Sequence, residues 1–179
     1  MHLSLLRGCS LSVTQTTRNA PLVRKATEGD VSAAALLAAA HYGGEGATWQ
    51  ERLARALAAP DALFAIAEVS GQVVACAKAA RCAPVDDDDA PAGLYLTGLL
   101  VDPAWRRRGL GEQLTRWRLE RLRRSGEPVL FFTNARNTAS LALHTRLGFV
   151  EVGRAASYLG EPFTGGVGVL MRWGPAGSP

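Results

Sequence analysis

Acidic residues are missing from the start of this chain: none occurs between Met1 and Ala26, where Ser, Thr and Arg are frequent. A targeting peptide is conceivable on that composition. However, Arg7 and Gly8 cut short the apolar stretch Leu3-Ser4-Leu5-Leu6, which excludes a secretory apolar core. Residues 1–20 therefore read as a flexible extension, followed by a single domain over 21–179. Cysteine is scarce. Cys9, Cys76 and Cys82 cannot all pair within one chain, and the last two fall on what reads as one strand. A disulfide framework is excluded, and a reduced, cytoplasmic compartment is expected. No apolar run approaches the ~20 residues of a membrane helix, so no membrane partner is expected. No metal site is expected either. What remains is 179 residues, 47% hydrophobic and 20% charged, which is ordinary globular material. The net charge of +4 favours an anionic ligand without approaching a histone-like excess.

Leu22–Ala26 reads as a short strand, and Thr27, Glu28 and Asp30 offer capping chemistry for a helix through Ser32–Ala40. His41-Tyr42-Gly43-Gly44 breaks it, and Thr48 opens a second helix over Trp49–Ala58. Leu63–Val69 and Gln72–Cys82 form a hairpin about Ser70-Gly71. A loop with Asp86–Asp89 leads to a strand at Leu94–Val101. Gly109–Arg124 is helical, Val129–Thr133 a buried strand, and Thr138–Leu147 a helix capped by Gly148. Strands near Phe149–Ser157 and Val167–Trp173 flank Gly165-Gly166. Strands alternating with helices around a hairpin indicate an α/β fold with a mixed sheet.

The chemistry concentrates in Val101-Asp102-Pro103-Ala104-Trp105-Arg106-Arg107-Arg108-Gly109-Leu110-Gly111. A strand ends, proline stops its ladder, and a basic loop punctuated by glycine enters a helix. Free N–H groups at a helix start favour negative charge, and Gly109 and Gly111 let the backbone approach a phosphate. Such a loop suits a pyrophosphate. Taken alone it reads more readily as an Arg-rich surface turn.

A second block follows: Asn137-Thr138-Ala139-Ser140-Leu141-Ala142-Leu143-His144-Thr145-Arg146-Leu147-Gly148-Phe149. Together the two blocks resemble the GNAT family of N-acetyltransferases. That family's loop reads V-x-P-x-x-[RQ]-x-x-G-x-[GA], with Arg106, Gly109 and Gly111 on its marked positions. Its second signature, N-x-x-[AS]-x-x-[LY]-[YH]-x-[KR]-x-G-F, is matched by Asn137, Ser140, Leu143, His144, Arg146, Gly148 and Phe149. The order of elements fits from Leu22 to Trp173.

The resemblance implies a mixed central sheet flanked by helices, with acetyl-CoA in a cleft where Leu94–Val101 and Val129–Thr133 splay apart. It places the pantetheine arm against the backbone of Leu99, Leu100 and Val101, and the pyrophosphate on Arg106, Arg107, Arg108, Gly109, Leu110 and Gly111. Asn137 joins them at the next helix, with Ser140 and His144 on the same helical face at i, i+3 and i+7. That polar stripe also reads as a solvated face. The implied reaction moves acetyl to a primary amine of a small molecule or protein, by direct attack in a ternary complex.

Two departures stand out. Many polyamine and aminoglycoside acetyltransferases of this fold carry Tyr-[Ile/Leu]-Glu before the loop, whereas this chain has Tyr95-Leu96-Thr97, and threonine is no base. His144 stands where many members use tyrosine to protonate the departing thiolate. An imidazolium with a pKa of ~6.5 would serve; a merely structural histidine is the alternative. Asp86–Asp89 read either as an attractor for a cationic amine or as a solvated acidic loop, and Glu45 and Glu51 are weaker candidates. His2 and His41 read as ordinary loop or helix-end residues.

Two rival functions remain. Eight arginines between Arg106 and Arg124 suggest nucleic-acid binding, but only Trp105 and Trp117 are near to stack on bases. The missing base at Thr97 leaves room for a CoA-sensing module without catalysis. A monomer or a homodimer is expected.

Overall fold

Small side chains set the middle of the molecule. A computed structural model describes residues 20–174; the expectations for residues 1–19, Cys9 and His2 among them, lie outside the described residues. Within it, β2 (Leu63–Val69) and β3 (Gln72–Cys82) form a hairpin in which Ala65, Ala67, Ala75 and Ala77 are fully buried on one face. Leu110 and Leu114 of α3 (Leu110–Leu122) share their core cluster. Alanine in a strand lets a helix backbone approach the sheet closely, and here that helix is the one the basic loop feeds. Ser70 and Gly71 both take positive φ, 50° and 80°, the geometry a two-residue hairpin turn requires.

The remaining elements are β1 (Leu22–Lys25), α1 (Val31–Tyr42), α2 (Gly46–Ala58), β4 (Gly93–Val101), β5 (Val129–Asn134), α4 (Thr138–Arg146), β6 (Val150–Ala155) and β9 (Gly168–Trp173). A two-stranded ribbon, β7 (Ser157–Tyr158) and β8 (Glu161–Pro162), forms a separate small sheet. The main sheet is ordered β1-β2-β3-β4-β5-β9-β6 and is antiparallel except between β4 and β5. One face of β2–β4 carries α1 and α2 through Ala34, Ala35, Ala38, Leu53, Phe64 and Cys76. The other carries α3, and α4 packs alongside through Leu147 and its neighbours.

Several boundaries differ from the sequence expectation, four of them for a visible local reason. α1 runs on through His41 and Tyr42, because Tyr42 stacks on Trp49 (5.3 Å) and the Trp49 indole donates to the Gly43 carbonyl (2.8 Å). α2 starts at Gly46, since Glu45 supplies its extended N-cap through backbone geometry, ahead of Thr48. Gly109 caps α3 in the left-handed conformation instead of starting it. The strand expected over Phe149–Ser157 ends at Ala155, and the chain then turns into the β7–β8 ribbon. No helix among the described residues is long and apolar enough to cross a membrane.

Candidate functional site

β4 and β5 are paired only at Leu94–Val129 and Tyr95–Leu130. Beyond those rungs β5 stays with β9 through Asn134, while β4 follows β3 to Val101, so the two parallel strands part. A bulge assists the parting. Cys76 faces Leu100 and Lys78 faces Thr97, which leaves Gly98 and Leu99 opposite Ala77 alone. Gly98 absorbs the extra residue at φ 57°, a conformation that glycine adopts without strain. The opening between β4 and β5 is the one the sequence resemblance implied.

The basic loop sits at the open end. Asp102 accepts from the Ala104 amide (2.8 Å) and steadies a short 3-10 turn, Pro103–Trp105. Arg106 then reaches back with Nε to the Val101 carbonyl (3.2 Å), and Arg108 lies over the Trp105 ring at 4.7 Å. Arg107 and Gly109 both have positive φ, 63° and 78°. The first bond within α3 runs from the Gln113 amide to the Gly109 carbonyl (3.0 Å), so the amides of Leu110, Gly111 and Glu112 precede the helical ladder. A Cβ on Gly111 would lie 3.5 Å from Leu143 of α4 and 3.6 Å from Leu99 of β4. The glycine thus lies at the base of the opening. Among the described residues, no carboxylate pairs with Arg106, Arg107 or Arg108. Free amides, a helix dipole and three guanidinium groups without a carboxylate partner suit this end to an anion.

α4 forms the far wall. Asn137 caps it, its Oδ1 accepting from the Ser140 amide and its Nδ2 donating to Thr133 Oγ1, both at 3.2 Å. Ser140 is half-buried. His144 is 1% exposed, which removes the solvated-face reading of the stripe at its inner end. Its ring stacks on Phe131 at 3.6 Å and meets Phe149 edge-on at 5.0 Å. Nδ1 sits 2.9 Å from the Ser140 carbonyl, which can only accept, so the proton is on Nδ1. Nε2 is then a bare lone pair, buried and without a partner. Burial pushes the imidazole down to about 4, despite the Ser140 bond, and the Arg118 charge adds to the fall. The imidazolium expected at His144 is therefore replaced by a neutral ring at neutral pH.

Arg118 is the buried charge in question, 1% exposed on α3. Nη1 donates to the Lys78 carbonyl (2.6 Å) and more weakly to that of Thr97 (3.5 Å). Nε donates to the Leu114 carbonyl (3.2 Å) and Nη2 to Thr115 Oγ1 (3.0 Å). Among the described residues no carboxylate pairs with it, and burial lowers its pKa to about 9. It remains charged at neutral pH and ties α3 to the two strands beside the bulge.

On the opposite face of the sheet a strip lies open. Cys76 and Leu100 belong to the α1–α2 core, and Cys82 and Tyr95 to a cluster with Tyr158 of the ribbon. Between the two clusters Lys78, Ala80, Thr97 and Gly98 are only half-buried. They form the floor of a trough beside the parting of β4 and β5. The α1–α2 corner flanks it on one side and the ribbon on the other; the charge of Glu161 reaches Tyr42 between them.

Sequence reasoning missed Lys78, Arg118 and the use made of Asp88. Lys78 could have been found, since a cation at the centre of an apolar strand breaks its pattern. Asp88 accepts from the Gly160 amide (2.9 Å), Ser157 Oγ (3.3 Å) and the Ala90 amide (2.8 Å). It therefore pins the ribbon to the loop before β4, and neither reading offered for the aspartate run anticipates that. His41, expected to be an ordinary helix end, lines a small cavity of about 60 Å³ with Leu100, Val101 and Arg106.

Comparison with known proteins is consistent with this geometry. The profile of the acetyltransferase (GNAT) family matches residues 32–149. The chain is 43% identical over 77 residues to mycothiol acetyltransferase of Nocardia farcinica, a segment covering 40% of this chain and 25% of that protein. The ribosomal-protein-S18-alanine N-acetyltransferase of Escherichia coli superposes with a TM-score of 0.68 at 21% identity, covering 89% of this chain and 97% of its own. YncA of Salmonella typhimurium, solved with its cofactor acetyl-CoA, superposes at 0.66 and 19% identity, over 89% and 96% of the two chains.

Proposed function

Since the chain belongs to the acetyltransferase (GNAT) family, we propose that it is an acetyl-CoA-dependent N-acetyltransferase acting on a primary amine by direct attack in a ternary complex. The observation that carries this reading is the parting of β4 and β5 directly above an anion site. Acetyl-CoA supplies an activated acetyl thioester. The residues present fit it: orphan amides and arginines for its phosphates, strand edges for its amide-bearing arm, and a buried unpartnered nitrogen on the far wall.

In this reading Arg106, Arg107, Arg108, Gly109, Leu110 and Gly111 hold the pyrophosphate, and Leu99, Leu100 and Val101 offer backbone groups to the arm. Asn137 and Ser140 contribute polar groups at the α4 end. As the C–N bond forms and the C–S bond breaks, the proton shed by the amine ends on the departing sulfur, and neutral His144 accepts a hydrogen bond from that S–H through Nε2 without taking or supplying the proton. The trough floored by Lys78 and Thr97 takes the acceptor, and helices α1 and α2 with the ribbon shape it. A covalent route through cysteine is disfavoured, because burial pushes the Cys76 thiol up to about 11 and raises that of Cys82. Those two free thiols suit a reducing cytoplasm.

The test is Gly109→Asp, which sets a carboxylate against the pyrophosphate. Calorimetry should show acetyl-CoA affinity falling more than ~100-fold, the equivalent of ~2.7 kcal/mol, with the thermal midpoint lowered by only a few degrees for the aspartate held at positive φ. Unchanged affinity removes the site. Parallel-line kinetics, or an acetylated cysteine, would instead overturn direct attack.

A further inference from the structure

We infer that the acceptor carries a carboxylate beside its amine, and that Lys78 on the trough floor is the residue that binds it. The inference rests on the acetyl-transfer reading above and adds the chemical class of the acceptor.

Lys78 lies in the middle of β3, between Phe64 of β2 and Thr97 of β4 in register. A mid-sheet position flanked by two strands is normally apolar, and an ammonium there loses hydration. Its stem lies over the bulge: a Cβ on Gly98 would meet Lys78 Cε at 3.0 Å and Nζ at 3.8 Å. The ammonium is therefore held beside the point where β4 leaves β5. Among the described residues no carboxylate pairs with it.

The groups acting on Lys78 sharpen the point. They are Arg52 of α2, which is of like charge, and the thiols of Cys76 and Cys82, which burial keeps protonated. Burial is the main cause of a lowered lysine pKa, and Arg52 adds to it. No carboxylate is among the groups acting on Lys78, and Glu161 of the ribbon, whose charge reaches Tyr42, makes no ion pair with it. Below the floor, Arg118 adds a further unpaired cation, bonded to the Lys78 carbonyl.

A polycationic acceptor would bring more positive charge against these groups. An amine with a carboxylate supplies the counter-charge the trough lacks. Its anionic end meets Lys78 while its nitrogen faces the opening. Thr97 opposite, uncharged, leaves the lysine free for that contact instead of neutralising it.

The experiment uses the whole protein, acetyl-CoA and matched pairs of small amines: amino acids and dipeptides against their C-terminal amides, with spermidine as a polycation. Thiol release gives kcat/KM for each. The wild type should prefer the carboxylate member of a pair by about tenfold or more, the size of one charge-assisted hydrogen bond. Lys78→Gln should erase the preference mainly through KM, and Lys78→Arg should keep part of it. Acetyl-CoA affinity, measured by calorimetry in the same variants, should stay within about threefold and shows that the fold and donor site are intact. Amides or spermidine used as well as the acids overturn the inference. So does failure to use the acids at all, or a preference that survives Lys78→Gln. Loss of acetyl-CoA binding in the wild type would instead overturn the transfer reading, and the inference with it.

Discussion

Two arginines divide the molecule. Arg24, at the β1 edge, is gripped by Asp30 through paired bonds of 2.7 and 2.8 Å and by Glu68 at 2.7 Å. Those bonds raise its pKa and lower that of Asp30 to about 2. Arg118, beside the bulge in β4, has only carbonyls and a hydroxyl, and its pKa falls. The first is an ion cluster far from the opening; the second is a charge left electrically open next to it. Lys78, Arg106, Arg107 and Arg108 follow the second pattern. Where only stability is at stake the charges are matched, and where the proposed donor and acceptor would sit the positive field is left standing.

Removing each arginine tests that division most strongly. Arg118→Ala should cost ~3–5 kcal/mol in urea unfolding, because it opens a cavity and orphans the Lys78 and Thr97 carbonyls. Arg118→Met refills the volume but leaves the carbonyls unbonded, so it should recover only part of that loss. Arg24→Ala should cost less, ~2–3 kcal/mol, through the charge-assisted bonds it removes. A larger loss at Arg24 than at Arg118 would reverse the comparison.

Acid separates the same two regions. The folded pKa of His144, about 4, lies below its ordinary 6.5, so between these values the unfolded chain binds the extra proton. Stability should thus fall as the pH drops from 6.5 to 4, by no more than ~3.5 kcal/mol from this group. His144→Phe should flatten that window. Asp30, moved from 3.8 to about 2, also loses its stabilisation on acidification, but only below 3.8. Its window should survive in the His144 variant. Chemical denaturation at several pH values reads both.

The smallest effect belongs to the surface. Arg81 with Glu127, and Arg154 with Glu151, form exposed pairs at 2.7 Å. Glu127→Gln and Glu151→Gln should leave the thermal midpoint unchanged within error, since solvent screens such pairs. A clear loss would mean that matched charges matter even at the surface.

Much of this was legible from local pattern. β2 and β3 fall on their expected residues because alternation and a Ser-Gly turn bound them on both sides. The loop and the helix start at Asn137 were readable because helix starts advertise themselves over a few residues. What was not readable depends on partners distant in the chain. Spacing put Asn137, Ser140 and His144 on one face, but it is the cover from Phe131 on β5, with Phe149, that buries His144 and keeps its ring neutral. Asp88 is informative only once residues 157–160 come alongside it, and strands of two residues are too short to show alternation. Arg118 looked like one of many exposed arginines on α3, although Thr115 beside it belongs to the same buried face.

The two rungs between β4 and β5 also have a mechanical consequence. The sheet is bound like a book with a short spine: β1 to β4 form one leaf, β5, β9 and β6 the other. Most of the spine's length carries no backbone bond between the leaves. A molecule lying in that gap, bonded to both edges, acts as stitching, and its departure leaves the leaves joined at one end only. Occupancy should therefore be felt as stiffness by amides in β9 and β6 that touch no ligand, and slowed hydrogen exchange there would register it.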